Sequence, residues 1–137
     1  MKIPKLSDLI KSFVGLASKA SSHSGTEDLG SYIDLVGQPE FRSGLIVVNV
    51  GAATGTPDSF SIVYRLLECA TSGGSYTAVS GATVTVTAAG VEEISFDPKG
   101  RLRYLKVGRT VTIVNGSTPA VPNGAVLLLG DPKYGPQ

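Results

Sequence analysis

His23 and Cys69 are the only histidine and the only cysteine in this 137-residue sequence. One imidazole and one thiol cannot complete a four-ligand zinc site. A catalytic thiol needs a histidine partner, and His23 lies in "SSHSG", which reads as a linker. Cys69 sits in the largely apolar run "VYRLLECA", the setting of an unreactive thiol in or near a strand. Being alone, it forms no intrachain disulfide. The acids of the domain are scattered, and the adjacent Glu92 and Glu93 point to opposite faces if they lie on a strand. They are therefore no ready-made carboxylate pair for hydrolysis. "GAATGTPDSF" is rich in glycine but lacks the Gly-Lys-Ser/Thr ending of a phosphate-binding loop and leads into no helix. The expectation is a protein that is not an enzyme, with no catalytic site, no metal and no cofactor.

The one cluster of charge is Lys99, Arg101, Arg103, Lys106 and Arg109, with Tyr104 among them. Cations interleaved with an aromatic ring could hold single-stranded nucleic acid by phosphate contact and stacking. The plainer reading, and the favoured one, is a solvated strand edge or cross-strand pairing with Glu92 and Glu93 across the "DPKG" turn; an interface with an acidic protein surface is the third. The formal net charge is +1, which provides no general attraction to nucleic acid or anionic membrane. Neither partner is expected. Charged residues make up 17% of the chain, below the roughly 25% of an average soluble protein, so the surface is quiet enough to be covered by another protein. Asp8 and Lys11 interrupt what would be the apolar core of a signal peptide, and no run of about 18 apolar residues spans a membrane.

Two kinds of element must position these residues. Leu6, Leu9, Ile10, Phe13, Leu16, Ala17 and Ala20 recur at spacings of three and four, which predicts an amphipathic helix. Gly15 interrupts it at a cost of about 1 kcal/mol, and so short a helix needs something to pack on. The polar stretch "SKASSHSGTEDLG" follows as a linker. Residues 1–30 thus read as a helical arm that folds back on its own domain or docks on a neighbour. Residues 31–137 read as the folded domain.

From Tyr32 onward the period is two. "YIDLV", "GLIVVNV", "SFSIVYRLLE", "GGSYTAV", "TVTVT", "VEEISF", "RLRYLKVGRTVTIVN" and "AVLLLG" predict about eight strands separated by turn signals. "GLIVVNV" is continuously apolar. Phe60, Ile62, Tyr64 and Leu66 share one side of their strand. No segment leaves room for crossover helices. The fold class expected is all-β, an antiparallel β-sandwich or jelly roll. In "TVTVT" the valines can enter the core while Thr83, Thr85 and Thr87 form a wettable, uncharged face. Such a face meets another protein without stranding a buried charge. The interface residues expected are Leu6, Leu9, Ile10 and Phe13 on the arm, the three threonines, and Arg101, Arg103 and Tyr104.

Two stretches carry a resemblance. "SFSIVYRLLECATSGGSYTAVSGATVTV" and "ISFDPKGRLRYLKVGRTVTIVNGSTPAVPNGAVLLLGDP" resemble the strand and turn pattern of tailed-bacteriophage capsid decoration (cement) and head accessory proteins. The resemblance covers roughly residues 32–132 and does not reach residues 1–30. It implies a virion structural protein, made in the host cytoplasm, that binds the major capsid protein on the outer surface of the head shell. It implies a homo-oligomer, a trimer first and a dimer as the alternative. A tail or fibre component and a carbohydrate-binding sandwich, with Tyr64, Tyr76 and Tyr104 as its aromatic row, are the competing readings.

Overall fold

The computed structural model describes residues 10–36 and 40–132. Nine strands are described: β1 (Ile10–Ser21), β2 (Asp28–Leu29), β3 (Ile33–Asp34), β4 (Phe41–Val50), β5 (Ser59–Cys69), β6 (Thr77–Val86), β7 (Gly90–Phe96), β8 (Tyr104–Val114) and β9 (Val121–Pro132). They form two antiparallel sheets, β1-β9-β4-β7 and β2-β8-β5-β6, with β3 also paired to β8. The all-β expectation holds, and there is no helix among the described residues.

The pairing is nested. β1 pairs with β9, β2 and β3 with β8, β4 with β7, and β5 with β6. The chain is one long antiparallel hairpin wrapped over itself, and the β4–β9 and β5–β8 contacts complete the sheets. This is the jelly-roll arrangement.

The inner faces supply the core. Ile62, Tyr64 and Leu66 of β5 are fully buried, as their alternation predicts, opposite Ile46 and Val48 of β4 and Leu127 of β9 on the other sheet. "GGSYTAV" and "TVTVT", read as separate strands, form parts of the single strand β6, which slips register against β5 between Arg65 and Leu67. Gly81 turns there with φ +79°, a conformation that side chains other than glycine adopt at a cost.

The helical expectation fails over residues 10–20. Ile10–Ser21 is the edge strand of the first sheet, while Leu6 and Leu9 lie outside the described residues. Two register slips, between Val14 and Leu16 and between Leu16 and Lys19, explain the misleading spacing. A bulge inserts an extra residue, so inward positions fall three apart at Phe13 and Leu16 instead of two. A broken strand then has the apolar spacing of a helix. The expected linker is also part of the fold, because Asp28 and Leu29 pair with Arg109 and Gly108 of β8.

Candidate interaction surfaces

The residues able to react are occupied structurally. His23 Nδ1 accepts the backbone N–H of Ile113 at 3.0 Å, which ties the segment before β2 to β8. Cys69 is buried, with its sulfur 3.8 Å from the Thr71 hydroxyl. Among the described residues no three of His, Cys, Asp and Glu gather as metal ligands.

The basic cluster is dispersed into separate contacts. Arg103 forms a two-pronged pair with Asp34, both bonds 3.0 Å, and its guanidinium lies 4.9 Å from the centre of the Tyr104 ring. Arg101 stands 3.6 Å from Glu68, and Lys106 sits 4.5 Å over the Tyr76 ring. The acids expected as partners, Glu92 and Glu93, lie on β7 in the opposite sheet. Sequence proximity across the "DPKG" turn misleads because the chain changes sheets there.

Arg109 is not on the surface. It is 3% exposed and joins a polar network between the sheets. It donates to Asp28 Oδ2 at 2.9 and 3.1 Å, to Asn123 Oδ1 at 3.0 Å and to the Ala17 carbonyl at 3.3 Å. The Tyr64 hydroxyl donates to Asn123 Oδ1 at 2.8 Å, and Asn123 Nδ2 donates to Ser21 Oγ at 2.9 Å. Burial pushes the Tyr64 phenol up to about 12. The hydrogen bond from Lys19, then those from Arg109, hold the Asp28 carboxyl below its ordinary value.

A carboxylate with a lowered folded pKa stabilises the fold above its unfolded pKa, and that contribution disappears as pH falls through the folded value. Melting temperature is therefore expected to be flat from about pH 7 to 5 and to drop below about pH 4. Asp28→Asn should give a shallower acid limb in thermal melts followed by circular dichroism. An unchanged limb would exclude Asp28 as its source.

Two outer faces remain. On the second sheet, Thr83 and Thr85 are exposed as the alternation predicts, and Thr87 is exposed just past β6. Register places Thr85 beside Val63 and Val63 beside Thr110, with Ser61 beside Thr112. Threonine and serine from three strands thus make one hydroxyl-rich surface. Its central charge is neutralised internally, since Arg65, beside Thr83, pairs with Glu27 through both guanidinium and carboxylate edges. Ser61, Thr110 and Thr112 belong to this face but were missed in the sequence; the alternation in "RTVTIV" is their signal. Arg101, Arg103 and Tyr104 lie toward one end of the same sheet. There Tyr32 meets Tyr104 edge-on, ring centres 5.2 Å apart.

The outer face of the first sheet is apolar. Val14, Val126 and Val47 stand in one row across β1, β9 and β4, and Ser12, Leu128 and Leu45 in the next. Val14 is 67% exposed, Val126 42% and Ile10 37%. Ile10 is thus an exposed residue of this face, whereas Phe13 turns inward and packs against the core. Sequence reasoning missed the rest of the surface. Its signal lay in "GLIVVNV" and "AVLLLG", which are apolar at successive positions and so apolar on both sides of the sheet.

No protein-family model matches this chain, and no curated protein sequence matches it. Among solved structures it is similar to the PBSX exported protein XepA, with a TM-score of 0.61 at 14% identity over 99% of this chain and 42% of that one. The chain therefore spans about two fifths of the length of XepA. It is also similar to the SPBc2 prophage-derived protein YomS, with a TM-score of 0.41 at 16% identity over 93% of this chain and 96% of that one. The coat protein of Tobacco streak virus matches with a TM-score of 0.41 at 12% identity over 95% and 92% of the two chains. At 14% identity the likeness to XepA is one of fold.

Proposed function

We propose that this chain is a non-enzymatic structural protein of a phage particle, a capsid decoration protein that binds the major capsid protein on the outer surface of the head and stabilises the shell. The observation that carries this reading is the hydroxyl-rich face of the second sheet. It is hydrogen-bonding, and the charge of Arg65 at its centre is paired with Glu27, so it can be covered without stranding a buried ion. The sequence resemblance over residues 32–132 points to the same class, and the jelly-roll fold suits it. Each copy makes modest contacts, and linked copies in a homo-oligomer bind far more tightly because each later contact is intramolecular.

The carbohydrate-binding alternative loses its aromatic row. Tyr64 is fully buried between the sheets, and Lys106 and Arg103 sit over the Tyr76 and Tyr104 rings that a sugar would stack on. A tail or fibre component differs from the proposal only in its place in the particle.

Mixing the chain with undecorated phage heads and imaging them by electron microscopy tests the reading. Added density at regular positions on the shell is expected. Thr85→Arg, which puts a cation on the hydroxyl face, should reduce occupancy at least tenfold while leaving the melting temperature unchanged. Because charge contributes only at the rim, binding should weaken modestly with salt. Heads that stay bare, or full binding by Thr85→Arg, would overturn the assignment.

A further inference from the structure

Three asparagines occur in the chain, and two of them, Asn115 and Asn123, are followed by glycine. An asparagine in that setting is prone to react with its own backbone. Glycine has no side chain to shield its nitrogen or restrict its rotation, so that nitrogen can reach the carboxamide carbon of the residue before it. The fold treats the two copies of this dipeptide in opposite ways.

Asn123 is locked. It is 4% exposed and lies within β9, between β1 and β4. Its Oδ1 accepts from Tyr64 and Arg109, and its Nδ2 donates to Ser21 Oγ and the Val121 carbonyl, both at 2.9 Å. Turning this amide onto Gly124 would break these bonds inside the sandwich.

Asn115 is exposed and sits just past the end of β8, in the turn that leads to β9. Among the described residues its side chain makes one hydrogen bond, from Nδ2 to Asp58 Oδ2 at 2.6 Å. The turn itself calls for this dipeptide. Asn115 has φ +59° and Gly116 φ +101°, a region that asparagine tolerates better than most side chains and that glycine enters freely. A Cβ on Gly116 would also stand 2.8 Å from the Gly55 carbonyl oxygen. The fold thus favours glycine behind asparagine at a surface turn, where nothing buried holds the amide in place.

We propose that Asn115 is a site of spontaneous deamidation and that its product unfastens the β8–β9 loop. The backbone nitrogen of Gly116 gives up its proton and bonds to Asn115 Cγ. The side-chain nitrogen takes up a proton and leaves as ammonia, which closes a succinimide ring. Water then opens the ring at either carbonyl, giving aspartate or isoaspartate. One water is consumed and one ammonia released, with no oxidation or reduction. Both products set a carboxylate beside Asp58 where an amide donor had been, and isoaspartate also adds a methylene to the main chain. Two neighbouring bonds hold this loop, from Asp58 N–H to the Val114 carbonyl at 2.9 Å and from Ser117 N–H to the Gly55 carbonyl at 2.7 Å. Like charge placed between them loosens both. The inference stands apart from the shell-binding reading, because it concerns the free protein and is measured without heads.

The test is to incubate the folded full chain in mildly alkaline buffer at physiological temperature, with a second sample in urea. Isoelectric focusing of the folded sample should show the formal net charge of +1 being cancelled. Peptide mapping should place aspartate and isoaspartate at position 115. Asn123 should convert at least about a hundredfold more slowly, because its reaction waits for the core to open. In urea the two should convert at a similar pace. Asn115→Asp should lower the melting temperature by a few degrees. Adding Asp58→Asn, which sets a donor opposite the new carboxylate, should recover most of that loss. An Asn115 that stays intact in the folded chain while it converts in urea would overturn the proposal. So would an Asn123 that keeps pace with it in the folded chain. A wild-type melting temperature for Asn115→Asp would overturn the unfastening of the loop. The mapping uses the wild-type chain and so holds whether or not a variant folds.

Discussion

Deleting residues 1–24 is expected to leave a chain that does not fold into a stable domain. The segment looks in the sequence like a removable arm, and its loss would then weaken assembly and spare the fold. The structure reverses that expectation. β1 pairs with β9 from Ile10 to Ser21, so its removal leaves the β9 backbone without that ladder. Leu16, 3% exposed, is lost from the core, and its removal alone is worth about 2–5 kcal/mol on the scale of leucine-to-alanine changes. Arg109 loses the Ala17 carbonyl and Asn123 loses the Ser21 hydroxyl, so two buried polar groups give up partners. The sum reaches the whole net stability of a domain of this size, about 5–15 kcal/mol. A flat amide proton spectrum and no cooperative melt are expected. Leu16→Ala separates packing from pairing: it should fold, with a melting temperature lower by roughly 10 °C. A cooperative transition in the truncated chain would show that β1 is dispensable and return it to the role of an arm.

The second large effect is expected at Asp28. Its carboxylate is the anion that the buried Arg109 guanidinium contacts, beside the neutral Asn123 amide and Ala17 carbonyl, and it also pairs with Lys19 at 2.9 Å. Asp28→Ala leaves a cation between the sheets with only neutral acceptors. Breaking a fully buried pair this way costs about 3–5 kcal/mol. Asp28 is 43% exposed, so solvent screens part of the interaction and the expected loss is about 2–3 kcal/mol. Removing the stranded cation as well should repair much of this. The double variant Asp28→Ala, Arg109→Met is expected to recover at least half of the single variant's loss, the sign of coupling within one network. Urea denaturation of wild type, both single variants and the double completes the cycle. Additive single effects would mean that Arg109 is held by Asn123 and the Ala17 carbonyl, with no need of Asp28.

The two outer faces divide the surface by chemistry. The hydroxyl-rich face can exchange water for another polar surface at little cost. The apolar face gains by leaving water altogether, at about 25 cal/mol per Å².

The periodicity of the sequence was enough to determine the class of the fold and much of its core. Alternation in "SFSIVYRLLE" specifies that Ile62, Tyr64 and Leu66 point inward, and "TVTVT" specifies which threonines point out, because a strand's side chains can face only two ways. The solitary His23 and Cys69 likewise exclude, from composition alone, the constellations that need two of either. What alternation cannot carry is which strand lies beside which. Glu92 and Glu93 are near Arg101 and Arg103 along the chain and lie in the opposite sheet, while Asp34 and Asp28 reach β8 from more than 60 residues away. β1 escaped recognition for a related reason. Its two bulges turn a period of two into spacings of three, and only the ladder with β9, more than 100 residues further on, distinguishes that pattern from a helix. Charge pairing and strand identity at the N-terminus are products of long-range register, which appears only when the chain closes on itself.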